Sequence, residues 1–189
     1  MSRSRRWTGK ERLINGDSKL SKARVLDFWQ YAFSDLKANN VRGILAEGIV
    51  AKLLDIPLTR RDSWAEWDLD FQNCKIEVKA SAYLQTWRQK RVSKIVFAGL
   101  KKCRWYPAKR GYAKTATCNA DWYVFCVQTE VNQDKWNALD LYQWRFYIVP
   151  KAKLRDRRSI SLSVVKTLSK EMTAGDFQHV AKKLIKDNH

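Results

Sequence analysis

WDLDFQNCKIEVKAS, residues 67–81, is the stretch from which the fold is read. Trp67, Leu69 and Phe71 alternate with Glu66, Asp68 and Asp70. Beyond Gln72-Asn73, Ile76, Val78 and Ala80 alternate with Lys75, Glu77 and Lys79. Period-two alternation on both sides of a short polar pair predicts two antiparallel strands joined by a two-residue loop. That register sets Phe71 opposite Cys74, Asp70 opposite Lys75 and Asp68 opposite Glu77. Directly opposed residues share a face, with Cβ atoms ~4.5–5.5 Å apart. Lys79 lies two residues past Glu77 and joins them. Two carboxylates so close repel unless a cation intervenes; lysine supplies part of that relief, and a divalent metal with oxygen ligands supplies more. A cross-strand ion-pair ladder on a solvated face is the plain alternative. Asp70 shares the face of Asp68, so a register shift of one pair exchanges their roles.

Upstream, Ile44, Glu47, Ala51 and Leu54 fall on one stripe of a helix expected over Val41–Leu54. Glu47 is thereby a carboxylate within the face that meets the core, or a boundary residue with its head in solvent. Gly43 and Gly48 each cost a helix about 1 kcal/mol relative to alanine, and their presence suggests close approach to a sheet. Leu26, Trp29, Phe33 and Leu36 predict an earlier helix over Ser21–Leu36, preceded by a basic, flexible arm over residues 1–20. Downstream, strands are expected near Ile95–Leu100, Trp122–Gln128 and Arg145–Val149, with 82–91 a short helix or irregular. A closing helix is expected over about 174–186. The chain reads as a single α/β domain over 21–189, with a core over about 40–150 and a mixed sheet.

The 189 residues carry 37 Lys and Arg against 19 Asp and Glu, a formal charge of +18. The excess is uneven: residues 78–120 contain eleven Lys or Arg and no Asp or Glu. Aromatics are interleaved there, in TWRQKRVSK and KKCRWYPAKRGYAK. Cations neutralise phosphates and aromatic planes stack on bases, so the composition favours a polyanionic partner over a merely solvated surface. Trp105 and Tyr106 stack on bases in that reading, or pack on their own domain. No apolar run approaches the ~20 residues of a membrane span. The basic start has no apolar segment after it and is not a secretory signal. Four cysteines without a CxxC pair, and only two histidines, argue against zinc and for reduced thiols in a cytoplasmic protein. His179 and His189 are expected at the surface.

RGILAEGIVAKLL (42–54), WDLD (67–70), IEVKASAYLQTW (76–87), ADWYVFCV (120–127) and LDLYQWRFYIVP (139–150) together resemble the PD-(D/E)XK nuclease superfamily, as found in small bacterial and phage endonucleases. The resemblance covers roughly residues 40–150, and Trp67 stands where that family's name has proline. It implies a restriction-endonuclease-like αβββαβ core, its mixed central sheet flanked by helices, and Mg²⁺-dependent hydrolysis of DNA phosphodiesters, with Mn²⁺ as substitute. By motif position, Asp68, Glu77 and the Val78 carbonyl would hold the metal, and Glu47 a second ion or its water. Lys79 would orient the attacking water and stabilise the phosphorane. Arg88, Lys90, Arg91, Lys94, Lys101, Lys102 and Arg104 would contact phosphates, positioning the nucleic acid without reading its sequence. Gln85 either reaches the site or is an ordinary polar surface residue. Double-strand cutting by so small a domain implies a homodimer. Charge alone leaves RNA open as partner. The competing reading is a nucleic-acid-binding protein on the same fold without catalysis, against which the intact Asp68, Glu77 and Lys79 count.

Overall fold

The computed structural model describes residues 6–16, 18–106, 108, 110–155 and 157–187. Residues 1–5 of the expected arm, and His189, lie outside the described residues. In chain order the elements are β1 (Arg12–Asn15), β2 (Ser18–Arg24), α1 (Val25–Phe33), α2 (Asn39–Leu53), β3 (Leu69–Phe71), β4 (Cys74–Ala82) and β5 (Val96–Ala98). There follow β6 (Trp105–Tyr106), β7 (Gly111–Tyr112), β8 (Trp122–Gln128), β9 (Trp144–Pro150), α3 (Lys151–Leu154), β10 (Ser159–Ser161), α4 (Leu162–Leu168) and α5 (Ala174–Asp187). The chain is mixed α/β and forms two compact units, one ending at Leu36 and one beginning at Lys37. Among the described residues no helix is long and apolar enough to cross a membrane.

The first unit is a hairpin followed by a helix. β1 and β2 pair antiparallel, Arg12 opposite Arg24 and Asn15 opposite Ser18. Pairing with β1 holds the chain extended through Arg24, so α1 begins at Val25 and not at the expected Ser21. The Arg24 N–H donates to Asp27 Oδ2 (2.6 Å), which satisfies a donor at the helix entrance and sets negative charge at the positive end of its dipole.

The second unit is built on a four-stranded mixed sheet in the order β3-β4-β8-β9. β3 and β4 are antiparallel, β4 and β8 parallel, β8 and β9 antiparallel. All seven residues of β8 are buried, because both its faces are covered. Trp122, Val124 and Cys126 pack with Ala46 and Val50 of α2 and with Phe177, Ala181 and Ile185 of α5. Tyr123, Phe125 and Val127 pack on the other face with Phe97, Ile160 and Val165 of β5, β10 and α4. Among the described residues, the connection between the parallel strands β4 and β8 contains no α-helix. Residues 83–121 make it through β5, which pairs with β10, and the short β6–β7 hairpin. Neither β10 nor α4 is anticipated by the sequence.

In α2 the stripe turns from the one expected. Its buried residues are Val41, Arg42, Ala46, Val50 and Ala51, whereas Ile44 is exposed. Ala46 and Val50 therefore centre the contact and Glu47 sits half-buried at its margin. Close approach to the sheet is not what Gly43 and Gly48 serve: a Cβ at either would meet nothing within 4 Å.

Candidate active site

The loop between β3 and β4 places both Gln72 (φ 51°) and Asn73 (φ 65°) in the left-handed region. Such a turn matches the natural twist of a hairpin and locks its register. Phe71 pairs with Cys74, Asp70 with Lys75 and Leu69 with Ile76, the expected pairing. One residue earlier the ladder departs from it. The Asp68 N–H donates to the Ile76 carbonyl (3.0 Å), and Asp68 Oδ2 accepts the Val78 N–H (2.7 Å). The aspartate side chain thus takes the donor that a longer β3 would have received. Trp67 consequently leaves the face of Leu69 and Phe71, where alternation had put it. It packs against the Tyr123 and Phe125 cluster, donates Nε1–H to Asp70 Oδ1 (2.8 Å) and lies 4.5 Å below Lys75 Nζ. These contacts separate the two aspartates that the sequence leaves interchangeable: Asp70 is exposed and held by Trp67, while Asp68 turns to Val78.

Glu77, in the middle of β4, is 3% exposed. Lys79 Nζ lies 2.8 Å from its Oε1 and Lys102 Nζ 2.7 Å from the same oxygen. Lys102 is delivered by an isolated bridge to Thr117, with backbone bonds of 2.9 and 3.1 Å. Gly99, in the left-handed region at φ 68°, passes so close to the Lys79 head that a Cβ there would stand 3.5 Å from Nζ. Glu47 is gripped through both oxygens by Arg61, whose Nη2 lies 2.7 Å from Oε1. That bond to Glu47 is the chief reason the Arg61 guanidinium holds its proton more tightly than usual, with the charges of Asp68 and Glu77 adding to it. Burial first, then the charges of Glu77 and Glu47, lift the Asp68 carboxyl from an ordinary 3.8 to about 6; the Val78 N–H and Lys102 oppose the rise. Carboxylates from α2, the start of the hairpin and β4 thus share one electrostatic field, with Lys79, Lys102 and Arg61 among them.

Arg61 is the member that the sequence reading misses. Its signal is faint: two arginines in TRRDSW, just ahead of WDLD, in a stretch otherwise short of cations. Of the expected phosphate contacts, Lys102 and Arg104 turn to carboxylates, Arg104 to Glu66 (2.8 Å). Arg88, Lys90, Arg91 and Lys94 are exposed on the connection that leaves the end of β4, and Lys101 is half-buried. Gln85 is buried: it donates to the Ala82 carbonyl (2.8 Å) and accepts from Arg42 Nη2 (3.3 Å), tying the end of β4 to α2. Its partners Arg42, Gln89 and the Ala82 carbonyl are all outside the carboxylate group. In a strand the N–H and C=O of one residue point to the same edge, so the Val78 carbonyl faces the edge where β3 has ended. His179 is exposed on α5. Cys74, Cys118 and Cys126 are buried free thiols and Cys103 is an exposed one.

Oxygen donors of this kind suit Mg²⁺. Among the described residues, however, no three metal-ligating side chains stand poised around one point. Glu77 and Glu47 are turned to Lys79, Lys102 and Arg61, so an ion must displace Lys102 or Arg61 to gather them. Comparison with protein-family models, characterised proteins and solved structures returns no match for this chain.

Proposed function

We propose that this chain is a Mg²⁺-dependent endonuclease that hydrolyses DNA phosphodiester bonds, its second unit a restriction-endonuclease-like domain. The observation that carries the reading is that Glu47 and Asp68 line one cleft while Glu77, with Lys79 on it, is near enough for its charge to act on Asp68, beside the stretch of β4 that β3 leaves unpaired. Burying like charges is costly unless cations offset them, and carboxylates so grouped on a cleft are functional-site candidates. Asp68, Glu77 and the Val78 carbonyl would hold the ion, with Glu47 at its flank. A bound Mg²⁺ would supply charge neutralisation at the phosphorus and help for the leaving oxygen. The chain's own part is positional. Lys79, pinned between Glu77 and the Gly99 turn, directs a fixed cation at the scissile phosphate and donates a hydrogen bond to an attacking water. Lys102 and Arg61, once freed from their carboxylates, are phosphate ligands. The +18 charge draws the polyanion in.

One observation favours a second reading, a nucleic-acid-binding protein without catalysis: Lys79, Lys102 and Arg61 already neutralise Glu77 and Glu47 without any metal. Supercoiled plasmid separates the two. Metal-dependent nicking that Asp68→Ala abolishes supports the enzyme. Salt-sensitive binding with no cleavage in Mg²⁺ or Mn²⁺ supports the binding protein.

A further inference from the structure

Beside the carboxylates lies a cleft of about 1440 Å³, walled by α2, by residues from 56 to 70, by Arg104 and β6, and by Ala138, Leu139 and Leu141. It exceeds the ~300–1,000 Å³ that a small-molecule site needs, so it suits a length of polymer. Glu47 and Asp68 line it. So do Trp64, Trp105 and Tyr106, exposed by 83%, 43% and 40%. A tryptophan held almost wholly in water forgoes the burial that most aromatics obtain, and aromatics grouped on a cleft mark a surface that something covers. The β6 wall is held in place: Trp105 packs edge-on against Tyr112 at 4.9 Å, and Arg104, just ahead of β6, pairs with Glu66. Arg104 also lies 5.8 Å over the Tyr106 ring.

We infer that this cleft takes single-stranded nucleic acid, its bases stacked on Trp64, Trp105 and Tyr106 and its phosphates led by Arg60 and Arg104 past Glu47 and Asp68. The inference rests on the nuclease reading for the role of the carboxylates, and it narrows the substrate to unpaired or unpairing strands. Duplex DNA keeps its base faces stacked inside and offers these rings nothing, whereas a single strand presents a flat face at each nucleotide. On the lining itself Lys52, Arg60, Arg61 and Arg104 face Glu47, Asp62, Glu66, Asp68 and Asp70, so it is the exposed rings, together with the +18 of the chain as a whole, that favour a polyanion with flat bases over an apolar peptide.

The test is affinity in EDTA for a labelled oligonucleotide, alone and annealed to its complement. The single strand should bind tighter than the duplex. Trp64→Ala and Tyr106→Ala should each weaken single-strand binding by about 5- to 150-fold, as loss of one stacked base does, and leave duplex binding within about twofold, since duplex is held by phosphate contacts. Trp64→Phe should restore most of the loss, and so exposed a side chain can be removed without unfolding the protein. Equal or tighter duplex binding, or equal weakening on both ligands, overturns the inference. Cleavage is scored separately in Mg²⁺. Duplex-preferring binding with intact metal-dependent cleavage sinks the cleft assignment alone. Single-strand preference with no cleavage in Mg²⁺ or Mn²⁺ sinks the nuclease alone.

Discussion

Asp68→Asn is expected to make the metal-free protein more stable, although it removes a central group of the site. Folding lifts the Asp68 carboxyl from an ordinary 3.8 to about 6, chiefly by burial and then by Glu77 and Glu47. A carboxyl raised in the folded state binds its proton more tightly there than in the unfolded chain. It therefore costs no stability below pH ~4 and progressively more as pH climbs toward 6. Two pKa units correspond to about 3 kcal/mol at neutral pH, and partial access to solvent brings the expectation to ~1–3 kcal/mol. Asparagine keeps an oxygen to accept the Val78 N–H, so the cap on β4 survives. Urea denaturation in EDTA at pH 7 and at pH 4 measures the difference. The variant should be more stable by ~1–3 kcal/mol at pH 7, with the gain vanishing near pH 4. Mg²⁺ should then stabilise the parent protein, by about 1.4 kcal/mol at ten times its Kd, and leave the variant unmoved. A variant less stable at pH 7 would refute the reasoning: Lys79, Lys102 and Arg61 would already balance the three carboxylates.

Lys102→Met should loosen the metal-free protein but tighten Mg²⁺ binding by roughly tenfold, because the cation competing for Glu77 is gone; titration calorimetry reads this, and weaker binding contradicts the displacement picture. Gly43→Ala should add about 0.5–1 kcal/mol of stability by urea denaturation, since nothing stands within 4 Å of the new Cβ; a loss would mean that the helix does meet a neighbour there. Gln72→Gly should stabilise the hairpin by up to about 1 kcal/mol, relieving a side chain in the left-handed region, and an unchanged melting temperature would argue against that turn.

Much of the sheet is legible in sequence because its signals are local. The alternation in 67–81 and the six apolar residues of 122–127 each announce a strand without reference to anything distant. The hairpin register follows from a two-residue loop, and Asp70 opposite Lys75 is read correctly from it. What fails are features set by pairing across the chain. Trp67 continues the alternation on paper, yet β3 stops at Leu69 once Asp68 takes the Val78 N–H, and the ring swings to the other face. The Ser21 start of α1 follows helical periodicity, but β1 claims residues up to Arg24 first. The same limit governs the site. Glu47 stands out as a carboxylate among apolar neighbours, while Arg61 and Lys102 come from irregular stretches whose course no local pattern records. Gln85 looks like a polar surface residue and is buried, because its partners, Arg42 and the Ala82 carbonyl, are brought together only by the packing of α2 on β4.

The central claim is that the Asp68, Glu77 and Lys79 group cuts phosphodiesters with a divalent ion. Its most direct test is cleavage of supercoiled plasmid, heat-denatured and native, by the full chain with Mg²⁺, with EDTA, and by the Asp68→Ala and Lys79→Ala proteins. The account predicts products that require the metal and disappear with both substitutions. Cleavage that persists in Asp68→Ala, or absence of cleavage from the parent protein on every substrate with Mg²⁺ and with Mn²⁺, would contradict it.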